Sequence, residues 1–230
     1  MSFDTSKTRA EILRRIRTAQ KREAPTAHDR TAADDYLAAH PPGPLPAPYA
    51  NLLAQFTAMA ERMASTVEPV SAMRDAPAAV ARYLAAQGVA ARAVVWPLLR
   101  ELPWEAANLA VEFRPPRRDE SQGADVVGIT GCYCAIAETG TLVLLSGADS
   151  PASTHLLPET HVALVAASRV VATMEEAFEL MRRENGGAQQ MMPRAVNMVS
   201  GPSRTGDIEQ TIVLGAHGPY RVHIIVVTSA

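Results

Sequence analysis

Cysteine is scarce in this chain: 230 residues contain two, Cys132 and Cys134. Two thiols cannot build a disulfide scaffold, and they cannot by themselves hold an iron–sulfur cluster that needs four thiolates. Any iron–sulfur chemistry connected with the chain must therefore sit on a partner. Long apolar runs are also missing, and the N-terminal M-S-F-D-T-S-K-T-R lacks the hydrophobic centre of a signal peptide, so a cytoplasmic protein with no membrane span is expected. No G-x-G-x-x-G follows a strand, and neither G-x-x-x-x-G-K-[ST] nor G-x-S-x-G occurs, which leaves nicotinamide, flavin and ATP without support and no cofactor expected. The six histidines show no compact metal-ligand spacing. A net charge of -2 argues against a surface given over to nucleic acid.

What is present is an ordinary globular composition, 47% hydrophobic and 20% charged, in a chain long enough for one substantial core with an appendage. The stretch from Gly128 to Ser146, G-I-T-G-C-Y-C-A-I-A-E-T-G-T-L-V-L-L-S, sets one carboxylate, Glu138, between a small-residue segment and a Val/Leu run. Leu142 to Leu145 is apolar on both parities, which predicts a central strand covered on two faces. Gly140 permits a sharp turn or a close approach, and Thr139 and Thr141 add uncharged hydroxyls. Glu138 either serves chemistry there or simply caps a turn or pairs with an arginine.

A second segment, Ser200-Gly201-Pro202-Ser203-Arg204-Thr205-Gly206-Asp207, follows the apolar run Ala195 to Val199 and precedes an expected short helix over Asp207 to Leu214. Its glycines, hydroxyls and guanidinium are the types that hold an anion at a helix N-terminus. Arg204 is the expected anion partner, with Ser200, Ser203, Thr205 and the amides around Gly201 and Gly206. A plain salt bridge from Arg204 to Asp207 or Glu209 is the competing account.

The rest of the chain predicts a largely parallel α/β domain. Asp4 to Arg22 reads as a basic amphipathic helix with Ile12, Leu13, Ile16 and Ala19 in a narrow stripe, and Ala24 to Pro48 as a Pro-rich linker. Residues 1–48 are thus an appendage and 49–230 the α/β domain. Helices are expected over Tyr49 to Ser65, Asp75 to Gln87 and Met174 to Asn185, the last stopped by Gly186 and Gly187. Strands are expected over Val67 to Val70, Ala93 to Trp96, Val111 to Phe113, His161 to Ala166, Ala195 to Val199 and Val222 to Val227, with polar loops over Arg114 to Gly123 and Ser146 to Pro158. Such alternation implies helices on both faces of the sheet and ligands beyond the carboxyl ends of its strands.

A-E-T-G-T (Ala137 to Thr141), L-P-E-T-H (Leu157 to His161), S-G-P-S-R-T-G-D-I-E (Ser200 to Glu209) and L-G-A-H-G-P (Leu214 to Pro219), in that order, resemble the lactate-utilization protein C family, which carries a single LUD domain. The resemblance covers roughly the C-terminal half of the chain. It implies a fold similar to phosphosugar isomerases and CoA-transferases, and a component of a bacterial system that oxidises L-lactate to pyruvate with iron–sulfur partner proteins. In the wider fold group a glutamate beside a glycine at a strand end can attack a thioester, so the resemblance makes Glu138 a conceivable nucleophile as well as a general base. His161 and His217 match the family's L-P-x-T-H and H-G-P patterns, as acid–base groups or as hydrogen-bonded turn histidines. Where the cysteines stand the family usually has small or acidic residues, and two buried structural thiols account for them.

Three functions remain open at this level: a non-redox subunit binding a small carboxylate or phosphorylated ligand between Glu138 and the Ser200 to Asp207 loop, an acyl or CoA transferase or hydrolase using Glu138, and a non-catalytic assembly or regulatory module docking through the basic helix. Whether the chain catalyses a step, and whether it forms a homo-oligomer, the residues leave open.

Overall fold

The computed structural model describes residues 5–21, 25–39, 43–45, 47, 49–117, 124–184, 193–208 and 211–229. Residues 1–46 and 47–230 form separate compact units. The expected stop at Gly186 and Gly187, and the Arg114 to Gly123 loop beyond residue 117, lie outside the described residues.

The first unit holds α1 (Ser6–Gln20) and α2 (Ala27–Ala39), neither with a buried residue. The stripe on α1 is as expected and is exposed, with Ile12 at 51% and Ile16 at 45%. The second helix corrects the reading of this region as linker. Its start is a reciprocal cap: the Asp29 amide donates to Thr26 Oγ1 at 3.1 Å, and the Thr26 amide donates to the Asp29 carboxylate at 2.8 Å. The Ala-rich run behind that cap favours helix.

The second unit begins with α3 (Leu52–Arg62), where Asn51 Oδ1 caps the Ala54 amide at 3.0 Å and Phe56 and Ala60 are fully buried. There follow β1 (Thr66–Val70), α4 (Ala76–Ala86), β2 (Arg92–Val95), β3 (Ala110–Glu112), β4 (Val127–Gly131), β5 (Cys134–Ile136), β6 (Thr141–Leu145), α5 (Ser153–Leu156), β7 (Thr160–Ala166), β8 (Val170–Val171), α6 (Met174–Glu184), β9 (Val196–Val199), β10 (Arg204–Ile208), β11 (Thr211–Leu214) and β12 (Arg221–Val227).

Six strands make one sheet in the order β1-β12-β7-β4-β2-β3, every pairing parallel. Its strands are apolar on both parities because both faces are covered. Val162 and Leu164 of β7 pack with α4 residues Val80 and Leu84 on one side, while Ala163 and Val165 pack with Phe56 and Ala60 of α3 on the other. The expected α/β class with helices on both faces is what the chain forms.

A second sheet, β8-β5-β6-β9, joins α3 on that other face, and this revises the placement of Leu142 to Leu145. β6 is interior and doubly covered, but in the smaller sheet, between antiparallel β5 and β9. Leu142 and Leu144 face the large sheet, and Val143 faces α6 through Ala177 and Leu180. The layers run α4, six-stranded sheet, second sheet with α3, then α6.

The expected helix over Asp207 to Leu214 is replaced by an antiparallel ribbon of β10 and β11, registered Arg204 with Leu214 and Thr205 with Val213. β-branched Thr205, Ile208, Thr211, Ile212 and Val213, with Gly206 among them, favour extended backbone over helix. The short α5 interrupts the expected Ser146 to Pro158 loop, and β4 adds a strand at Val127–Gly131.

Candidate functional site

Ala137 to Gly140 form the turn between β5 and β6. Gly140 has φ +65°, and a Cβ on it would overlap the backbone of Ala60 in α3. Gly201, φ +79°, presses in the same way on the Met63 carbonyl at the end of α3. Only residues without a side chain allow both loops to approach that helix so closely. Met59, Ala60 and Met63 thus anchor the site; the apolar spacing of this helix pointed to core and carried no sign of that role.

Pairing of β6 with β9, Leu142 opposite Val199, then sets the hydroxyls in line. Thr139 Oγ1 lies 2.7 Å from Thr141 Oγ1, which lies 2.6 Å from Ser200 Oγ. The turn segment and the Ser200 segment are therefore joined by a chain of hydroxyls, partly buried and able to re-orient its protons toward a bound acceptor. Ser203 ties in the third segment: its amide donates to the Pro219 carbonyl at 2.8 Å, and its carbonyl accepts from the Gly215 amide at 2.9 Å. The fourth follows, since the Glu159 carbonyl accepts from the Tyr220 amide at 3.0 Å.

Glu138 is half-buried, and its Oε1 accepts from the Met174 amide, the first of α6, at 3.2 Å. A carboxylate at a helix N-terminus is stabilised by the free amides and the dipole. Glu175 and Glu176 share that first turn, with Glu176 accepting from the Ala172 amide at 2.8 Å. Three carboxylates make this helix start unsuitable for an anion. Arg204 is exposed, and its Nη2 donates to the Met63 carbonyl at 3.4 Å. The contacts of Glu138 and Arg204 are thus with different helices. Because the segment after Ser200 enters strand β10, the helix N-terminus expected beneath the anion does not form. Thr205 and Asp207 lie on that strand.

The two histidines part company. His217 is exposed in the loop after β11. His161 is fully buried on β7, its Nε2 2.8 Å from Thr130 Oγ1, and burial pushes its pKa down to about 3. His155 of α5 stands beside it, ring centroids 5.8 Å apart, and burial lowers its pKa to about 4. Both imidazoles are neutral at pH 7. A repeated Thr-His pair, 154–155 and 160–161, was the one trace of this arrangement in the sequence.

Of the two cysteines, Cys134 is buried and Cys132 half-buried. Cys132 Sγ donates to the Cys134 carbonyl at 2.8 Å, and burial raises the two thiols to about 12 and about 11. Among the described residues no group of three His, Cys, Asp or Glu side chains could hold a metal ion. No helix among them is long and apolar enough to cross a membrane.

A parallel sheet backed by a second, mostly antiparallel sheet, with two glycine-bearing loops pressed on one helix, defines an α/β protein. Residues 53–227 match the family model of the LUD domain, and the chain belongs to that family. It is 34% identical over 212 residues to lactate utilization protein C of Deinococcus radiodurans, covering 90% of this chain and 95% of the relative. The protein of the same name from Bacillus subtilis is 39% identical over 102 residues, 44% of this chain and 42% of the relative. For the Bacillus licheniformis protein the match spans about half of the relative, 53%. A crystal structure of a DUF162 family protein from Deinococcus radiodurans superposes with a TM-score of 0.57 at 29% identity, covering 76% of this chain and 96% of that one.

Proposed function

We propose that this protein is a non-redox, cytoplasmic component of a bacterial L-lactate utilization system, acting with iron–sulfur partner proteins in the oxidation of L-lactate to pyruvate and holding a small carboxylate or phosphorylated ligand near Glu138 and Arg204. Family membership and the name shared by the relatives support the pathway. The observation that carries the site is the Thr141–Ser200 hydrogen bond, which joins two distant segments into one chain of hydroxyls. A ligand anion there would draw on an exposed end of that hydroxyl chain, Thr139 or Ser200, with Thr141 relaying between them, and on the exposed guanidinium of Arg204. Two cysteines are too few for a four-thiolate cluster, so on this reading electron transfer belongs to the partners.

One observation favours a second reading. The Glu138 carboxylate is already engaged by the Met174 amide at the start of α6, which weighs against its use as a free nucleophile in acyl transfer and toward an assembly or regulatory module. Growth on L-lactate separates the two. A deletion strain complemented with Arg204→Ala or Glu138→Gln should grow at least about tenfold more slowly than with the wild-type gene while the variants accumulate normally. Normal growth with both variants would overturn the ligand site and leave the assembly role.

A further inference from the structure

Within the six-stranded sheet the chain changes direction between β2 and β4. From β2 it runs outward to β3 on one side, and from β4 it runs by way of the second sheet to β7 on the other. In open parallel sheets such a switch point leaves a crevice at the strand carboxyl ends, because the two connections leave in opposite directions. A cavity of about 410 Å³ lies there, lined by Trp96 directly after β2, Gly131 at the end of β4 and Ala166 at the end of β7. None of the residues assigned above to the lactate-system site lines it.

The chemistry of the walls selects the occupant. Leu98, Leu99, Leu145 and Leu164 make it apolar, and its polar groups are already engaged. Arg169 Nε donates to the Tyr133 carbonyl at 2.8 Å, and its two Nη atoms grip the Glu184 carboxylate at 2.5 and 2.9 Å, so its charge is neutralised. Trp96 Nε1 donates to the Pro151 carbonyl at 3.1 Å, which fixes the indole plane as a wall. Ser150 Oγ spends its proton on the Leu145 carbonyl, which leaves its lone pairs free to accept. A charged ligand would lose its hydration without gaining a counter-ion, whereas a flat neutral ring system would bury apolar area against Trp96 and donate one hydrogen bond to Ser150 Oγ.

We propose that the crevice at the β2/β4 switch point is a second binding site, taking a neutral, planar aromatic molecule of about two or three fused rings with one hydroxyl or N–H donor. The site is independent of Glu138 and Arg204.

Calorimetric titration of the full chain with 2-naphthol, 2-naphthoate and L-lactate tests this. We expect saturable one-to-one binding of 2-naphthol, binding of 2-naphthoate weaker by at least about fivefold, and no heat from L-lactate that competes with 2-naphthol. Gly131→Leu fills the crevice from its floor, where a Cβ would meet the Trp96 ring at 3.8 Å without clash. Leu98→Glu places a charge at the rim, at a residue 67% exposed and so tolerant of change. Each should weaken 2-naphthol by at least about tenfold, and Leu98→Glu decides alone if Gly131→Leu does not fold. No saturable binding to the wild-type protein, unchanged affinity in the folded variants, or equal affinity for the charged naphthoate would each overturn the proposal.

Discussion

Thr141, at the start of β6, and Ser200, just past the end of neighbouring β9, are separated by 59 positions in the chain and share a 2.6 Å hydrogen bond between hydroxyls. Thr141 is buried, so the bond is shielded from water. Thr141→Val keeps the shape and removes the hydroxyl, and the loss should be about 1–2 kcal/mol of stability, with Thr141→Ser nearer wild type. Urea unfolding of the three proteins decides; equal midpoints would mean that the hydroxyl chain is only incidental to packing.

Gly140 and Gly201 should be intolerant of any side chain. Both have positive φ and both would drive a Cβ into the backbone of α3. Gly140→Ala and Gly201→Ala are expected to cost about 2–4 kcal/mol each, from left-handed strain plus displacement of the helix. Gly206 has nothing within 4 Å of its Cβ position and no positive φ, so Gly206→Ala is the control, expected within about 0.5 kcal/mol of wild type. Comparable losses at Gly206 would remove the argument.

Acid should destabilise the fold in a window set by three histidines. Burial lowers His155 to about 4, His161 to about 3 and His223 to about 4, the last despite the opposing effect of Glu68. Unfolded imidazoles titrate near about 6.5, so between that pH and the folded values the unfolded chain binds more protons. Stability is therefore full above about pH 6.5, falls as pH decreases, and stops falling below the folded pKa values. Each histidine contributes up to about 1.4 kcal/mol per pH unit in that window. Denaturation at pH 7.5, 6 and 5 gives the slope, which His155→Leu should reduce by roughly a third. A flat profile contradicts the burial of these rings.

The thiols should be inert. With pKa values raised to about 12 and about 11, Cys132 and Cys134 hold almost no thiolate at pH 8. Iodoacetamide should alkylate the folded protein at least about a hundredfold more slowly than the urea-unfolded chain. Rapid labelling of the native protein would point to a reactive cysteine instead.

How much was readable beforehand follows from the range of each interaction. Alternation of strands and helices in the second unit came through because it depends on side chains a few residues apart, as in Val222 to Val227 or Met174 to Glu184. In the Asp207 to Leu214 segment the β-branched composition favours extended backbone, but no local pattern announces that Arg204 will pair with Leu214. The helix at Ala27–Ala39 was hidden by the prolines after it, although its Thr26 and Asp29 cap was in plain view. The four segments singled out in the sequence are joined by hydrogen bonds in the fold, but nothing local pointed to the partners of Glu138 and Arg204, the Met174 amide and the Met63 carbonyl.

Local chemistry in the sequence determined which stretches are apolar on one or both faces, which glycines can admit a sharp turn, and that the chain has only two thiols of its own. Only the tertiary structure decided that Leu142 to Leu145 belongs to a second sheet, that His161 is sealed in the core while His217 is exposed, and that β2 and β4 part around a crevice. The reason is physical: burial and pairing depend on which surfaces meet after the chain has turned back on itself, and a segment apolar on both faces fits any doubly covered strand position equally well.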